Sequence, residues 1–219
     1  MIVLGLATMG TSAAALIRDG QLVAAIEEER LSRIKNDGAF PLRAIAECLD
    51  IAGVSMAEVD AVAIYWQRWR FGTRAAGTLR KALASPAARR AITDRTRRAL
   101  MGGEHLEARP EDTGRWSDLF RIRRILKAEF GACPAEIGFF DHHLTHQLYA
   151  EALGGWPACL SLSYDGGGEA DSTVLTLVES GTRTELKRIP WPNSLGHFYS
   201  FFTGWLGFRM LEGEYKMMG

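Results

Sequence analysis

Three short extended stretches, joined by tight turns and followed by a helix, occur twice in this 219-residue chain. In the first copy Ile2–Ala7 and Ser12–Arg18 are apolar runs, Asp19-Gly20 is a two-residue hairpin signal, and Leu22–Glu28 is the returning strand. A helix then runs over Leu42–Ala52, with Pro41 at its start and Gly53 as its stop. In the second copy Ala158–Tyr164, Ser172–Val178 and Arg183–Ile189 are the strands, Ser180-Gly181 is a turn, and a helix follows over about Leu195 to Leu206. Between the copies lie strands at Val59–Tyr65 and Ile137–Phe140 and a helix from about His142 to Leu153. A meander that recurs with its own helix limits the chain to a duplicated α/β architecture in which each first turn can meet a ligand.

The second copy stops after one helix, without the crossover strands of the first, so apolar surface is expected around Phe198, Phe201, Phe202, Trp205 and Phe208. The expected organisation is a first lobe over 1–155, with a helical insertion at about 67–130, and the beginning of a second lobe over 156–219. On this reading the chain is a fragment, or another polypeptide completes it.

Charge is segregated. The 26 basic and 26 acidic residues cancel over the whole chain, which argues against a general polyanion or nucleic-acid binder. Yet residues 67–124 hold fifteen Arg/Lys against six Asp/Glu, leaving eleven against twenty elsewhere. That segment reads as a solvated helical insertion, with an anion-binding or partner surface as the alternative. No apolar run approaches the roughly 18–20 residues that span a bilayer, and the apolar start lacks the basic flank of a secretory signal. Cys48, Cys133 and Cys159 form no CxxC pair, which points to a reduced, cytoplasmic setting.

The residues that could carry chemistry lie between the second half of the first lobe and the first turn of the second. His142 and His146, four apart at a helix start, share a face and form a workable metal-binding pair, or else serve as helix-end caps. Asp141 or His143 could support them. Asp165 ends an apolar strand and offers a third, oxygen ligand; two His and one carboxylate with open positions suit iron(II), manganese or zinc. Gly166, Gly167 and Gly168 allow a close backbone approach to phosphate, or form a plain hairpin loop. Thr11 and Ser12, in the first turn of the first copy, are a second and weaker phosphate-binding candidate. Glu27-Glu28-Glu29-Arg30 with Arg33 and Lys35 reads as a charged strand exit.

Taken in order, these stretches resemble one family. Ser12-Ala13-Ala14-Ala15-Leu16 with Asp19-Gly20, Glu28-Glu29-Arg30-Leu31-Ser32-Arg33 with Phe40-Pro41, and His142-His143-Leu144-Thr145-His146 come first. Asp165-Gly166-Gly167-Gly168-Glu169 and Gly213-Glu214-Tyr215-Lys216-Met217-Met218-Gly219 complete the set. The whole is similar to the nodulation and antibiotic O-carbamoyltransferases (the NodU/CmcH family). The resemblance implies an α/β, actin-like ATPase fold (the duplicated, RNase H-like ASKHA plan), with the first lobe and the beginning of the second present here. It also implies a metal, iron(II) or another divalent ion, held by His142, His146 and Asp165. ATP would lie in the same cleft, with Lys216 in an anion-binding role. Carbamoyl phosphate and ATP would form a carbamoyl-adenylate, and the carbamoyl group would pass to a hydroxyl of a sugar or natural-product acceptor.

The chain departs from that family at Gly10-Thr11, where the family usually carries a His-Asp or similar polar pair. A further aspartate ligand and a carboxy-terminal domain resembling the YrdC proteins would lie beyond Gly219. The competing readings are an actin-like metabolite kinase, which does not explain the histidine pair, and a truncated nucleotide-binding lobe without complete activity.

Overall fold

The computed structural model describes residues 1–8, 10–70, 72, 73, 76, 93, 116–208, 210 and 213–219. Most of the basic 67–124 segment, and so most of the expected helical insertion, lies outside the described residues. Contacts divide the chain into two compact units: residues 1–69 with 75–140, and residues 70–74 with 141–219.

In the first unit β1 (Ile2–Ala7), β2 (Ala13–Arg18) and β3 (Gln21–Glu27) form the expected antiparallel meander. Asp19 and Gly20 both take positive φ at the hairpin, as a primed two-residue turn requires. β4 (Ala61–Ile64) and β5 (Glu136–Phe139) add in parallel on the other side of β1, giving the order β3-β2-β1-β4-β5. This mixed sheet, meander first and crossovers after, is the α/β plan expected from the sequence. Leu4, Leu16, Ile45, Cys48, Val62, Ile64, Leu119 and Leu126 are fully enclosed in one apolar core.

The charged exit from β3 is not an extended stretch. It is a short helix, α1 (Glu28–Ser32), with Glu28 and Glu29 buried. α2 (Leu42–Ala52) begins at Pro41 with no side chain of its own first turn capping it. Glu28 supplies the cap from a distance: its carboxylate accepts from Arg43 N at 3.3 Å and from Ala44 N at 2.8 Å. A negative group at the positive end of a helix offsets the desolvation of a buried carboxylate. Glu29 accepts in turn from Lys35 Nζ at 2.9 Å and Asn36 N at 2.8 Å, and Lys35 holds its carboxyl below the usual carboxylate range. α3 (Ile122–Phe130) closes on Gly131, which takes φ of 71°.

The second unit contains α4 (His142–Gly154), β6 (Ala158–Tyr164), β7 (Asp171–Glu179), β8 (Thr182–Pro190), α5 (Leu195–Trp205) and α6 (Glu214–Met218). The three strands form a second antiparallel meander in the order β6-β7-β8. α4, assigned above to the first lobe, packs on β6 and β7 and so belongs with the second unit. Phe198, Phe201 and Trp205 of α5 are exposed, as are Leu160, Leu162 and Tyr164 of β6. No helix among the described residues is long and apolar enough to cross a membrane.

Glu28→Ala removes both acceptors at the start of α2 and is expected to lower the unfolding free energy by about 2 kcal/mol. Urea denaturation measures this, and Glu28→Gln, which keeps one acceptor oxygen, should lose less.

Candidate metal centre

Asp141 sets the entry of α4. It is extended at the N-cap position, and its Oδ1 accepts from Leu144 N at 3.0 Å. It is thus the cap of the helix that carries the histidines. From that cap His142 and His146 emerge one turn apart, with ring centroids 4.6 Å from each other.

Asp165 reaches them from the end of β6. His142 Nε2 lies 2.7 Å from Asp165 Oδ2, His146 Nε2 lies 3.2 Å from His142 Nε2, and His146 Nε2 lies 3.8 Å from Asp165 Oδ2. Two donors on a sphere of roughly 2.1 Å radius are separated by roughly 3.0 Å at a right angle and 3.4 Å at a tetrahedral one. The three separations are of that size, so the donor set fits one divalent cation. The His142 side chain is 9% exposed, that of Asp165 41% and that of His146 55%, so the trio is closed on one side and open on the other. An open side is what a catalytic rather than a structural site needs. The hydrogen bonds from the two imidazoles, His142 first, hold the Asp165 carboxyl well below the usual carboxylate range.

His143 serves the sheet instead. It is buried, its Nε2–H donates to Asp171 O at 3.0 Å, and its Nδ1 accepts from Ser163 Oγ at 2.8 Å. One donor and one acceptor nitrogen describe a neutral ring, consistent with burial pushing its pKa down.

The glycine turn positions Asp165 and uses its own amides to do so. Gly166 N donates to Asp165 Oδ1 at 2.5 Å, and Gly168 N donates to Asp171 O at 2.7 Å. Both amides, expected to face a phosphate, thus already have acceptors within the protein. The glycines matter for space. A Cβ on Gly168 would stand 3.2 Å from His142 Cβ, and one on Gly167 would stand 2.6 Å from Trp191 Cδ1. The Glu169 carboxylate, also buried, accepts from His142 N at 3.3 Å.

The start of α5 closes the turn, a contact no local pattern announces. Ser194 Oγ donates to Asp165 O at 2.6 Å and accepts from His197 N at 3.0 Å. Gly196 packs so tightly that an added Cβ would stand 2.7 Å from Gly166 N and 2.9 Å from Asp165 C.

The other sequence candidates sit on other elements. Thr11 and Ser12 are in the β1–β2 turn of the first unit, Thr11 exposed and Ser12 fully buried. Ser12 bonds through its backbone to Asp37 O and Glu28 N. Lys216 is exposed on α6 with its Nζ 5.8 Å from the Tyr215 ring centroid, and no hydrogen bond among the described residues joins it to the trio. α6 is held to α5 by Ser200 Oγ donating to Glu214 Oε1 at 2.8 Å and Tyr199 Oη donating to Glu214 O at 2.9 Å.

Residues 2–219 match the family described as "Carbamoyltransferase N-terminus". Nodulation protein NolNO of Sinorhizobium fredii is 36% identical over 214 residues, covering 96% of this chain and 27% of that protein. An uncharacterized protein of Synechocystis is 33% identical over 216 residues, covering 95% of this chain and 32% of that protein. The chain thus spans about a third or less of the length of these relatives. Among solved structures, YeaZ from Pseudomonas aeruginosa aligns with 87% of this chain and 66% of its own, at a TM-score of 0.40 and 13% identity.

Gly196→Ala is expected to displace the Asp165–Gly166 peptide, costing about 1–3 kcal/mol of stability and weakening divalent-metal uptake. Thermal melts and Mn(II) titration read the two effects. Leu195→Ala, at an exposed neighbour, should change neither.

Proposed function

Because the chain belongs to the carbamoyltransferase N-terminus family, we propose that it is the amino-terminal part of an O-carbamoyltransferase. Its substrates are carbamoyl phosphate, ATP and a small-molecule hydroxyl, on a sugar or a natural product. The carbamoyl group passes through a carbamoyl-adenylate. The acceptor oxygen bonds to the carbamoyl carbon, the bond from that carbon to the AMP phosphate oxygen breaks, and the hydroxyl proton leaves to solvent or a base. Adenylate formation belongs to a further portion of a longer protein, in keeping with the greater length of the relatives.

The observation that supports this reading is the convergence of His142 Nε2, His146 Nε2 and Asp165 Oδ2 on the open side of α4. These residues would hold iron(II) or another divalent ion. Such an ion, when bound, supplies Lewis acidity that polarises a carbonyl and offsets phosphate charge. The chain's own residues do the rest. Asp165 stays ionised and oriented by Gly166 N and the imidazoles. The buried flank of His142, packed against Gly168, excludes water from one side. His146, more than half exposed, borders the side from which a substrate enters.

Metal analysis tests the site. The protein is expected to retain about one divalent ion per chain with three ligands of this type, and His142→Ala or His146→Ala to lower that content at least tenfold while the fold persists. Equal metal content in all three proteins would sink the proposal.

A further inference from the structure

The two histidines and Asp165 ride on different elements, α4 and the turn after β6, so some other contact must fix their separation. Polar side chains contribute to it. Where α4 meets the strands the partners are polar: Gln147 Nε2 donates to Ser161 O and Val174 O, Thr176 Oγ1 donates to Gln147 Oε1, and His143 pairs with Ser163.

Arg188, on β8, spans the gap. Its Nη1 donates to Asp171 Oδ2 at 2.7 Å and to Asp141 Oδ2 at 3.4 Å. Asp141 is the cap from which the helix with both histidines starts. Asp171 holds the other side: its carbonyl oxygen receives Gly168 N and His143 Nε2, and Gly168 is the residue packed on His142. Glu185 fixes the far edge of the guanidinium, accepting from Nε at 3.1 Å and Nη2 at 2.7 Å. Arg70 reinforces the same pair of aspartates, its Nη1 3.0 Å from Asp141 Oδ2 and its Nη2 3.7 Å from Asp171 Oδ2.

We propose that Arg188 is a positioning residue of the metal centre, locking the helix that carries His142 and His146 to the turn that carries Asp165 through Asp141 and Asp171. The inference rests on the metal reading above. A planar guanidinium with donors in fixed directions can serve three carboxylates at once, which an ammonium on a flexible stem cannot do with the same geometry.

The same helix provides its own control. Arg183 binds Gln147 and Glu151, on the part of α4 that follows the histidines rather than at its Asp141 cap, with an exposure close to that of Arg188. Cobalt(II) is the probe, since its visible absorption reports ligand geometry as well as occupancy. Arg188→Gln is expected to weaken cobalt binding about ten- to a hundredfold, the usual effect of removing a group that orients metal ligands, and to change the shape of the spectrum. Arg188→Lys should restore part of the affinity, and it keeps the test open where the glutamine variant does not fold. Arg183→Gln should lower thermal stability and leave affinity and spectrum as in the wild type. Cobalt binding by Arg188→Gln with wild-type affinity and spectrum would overturn the positioning role alone. A wild-type protein that takes up no cobalt would overturn the metal reading and this proposal with it.

Discussion

Asp165 Oδ2 stands 2.7 Å from one imidazole nitrogen and 3.8 Å from another. Three electron-pair donors this close are stable only with a proton or a cation among them, because lone pairs on adjacent nitrogen and oxygen atoms repel. The surrounding fold is organised around keeping that group together. α4 starts on an aspartate cap, the turn after β6 spends its amides on its own carboxylate and on Asp171, and α5 begins against the Asp165 peptide. The cap and the paired amides each contribute on the order of 1 kcal/mol. Together they specify a geometry.

Such a polar interface contrasts with the first unit. There the sheet and α2 close on leucine, isoleucine and valine side chains, several of them fully enclosed. Fully burying one such side chain contributes about 1.5–3 kcal/mol, so this unit carries its own stability. In the second unit the α4 side of β6 buries Ser161 and Ser163, while Leu160, Leu162 and Tyr164 face outward. The two meanders share a topology, but β6 turns serines rather than leucines toward α4.

Much of this was legible from the chain because its signals are local. Short apolar runs marked strands of the meanders, and Asp19-Gly20 and Ser180-Gly181 marked their hairpins, where all four residues take positive φ. The spacing of four between His142 and His146 put both rings on one helix face, and the strand end at Asp165 put a carboxylate within reach. What escaped depends on contacts across sequence distance. Glu28 caps a helix fifteen residues ahead, so its stretch read as a charged exit when it is a buried turn of helix. His143 looked like a neighbour of the ligands but belongs to the sheet. Gly166 and Gly168 were read for their freedom, yet Gly168 is constrained by the His142 ring, and both amides are already used.

Glycine and arginine thus play complementary parts around the same turn. At Gly196 the missing side chain lets two elements approach more closely than a Cβ permits, and at Gly168 a Cβ would be tight against His142. At Arg188 and Arg70 a long side chain reaches the α4 cap Asp141 and the β7 residue Asp171 together. Close approach alone would leave the turn free to slide along α4. Long-range ion pairs alone would leave the gap between donors loosely set, since they hold Asp141 and Asp171 and not the three donor atoms themselves. Contact at Gly168 fixes how near the turn can come, and the shared aspartates fix where along the helix it sits. A separation of about one coordination edge between imidazole and carboxylate needs both constraints at once.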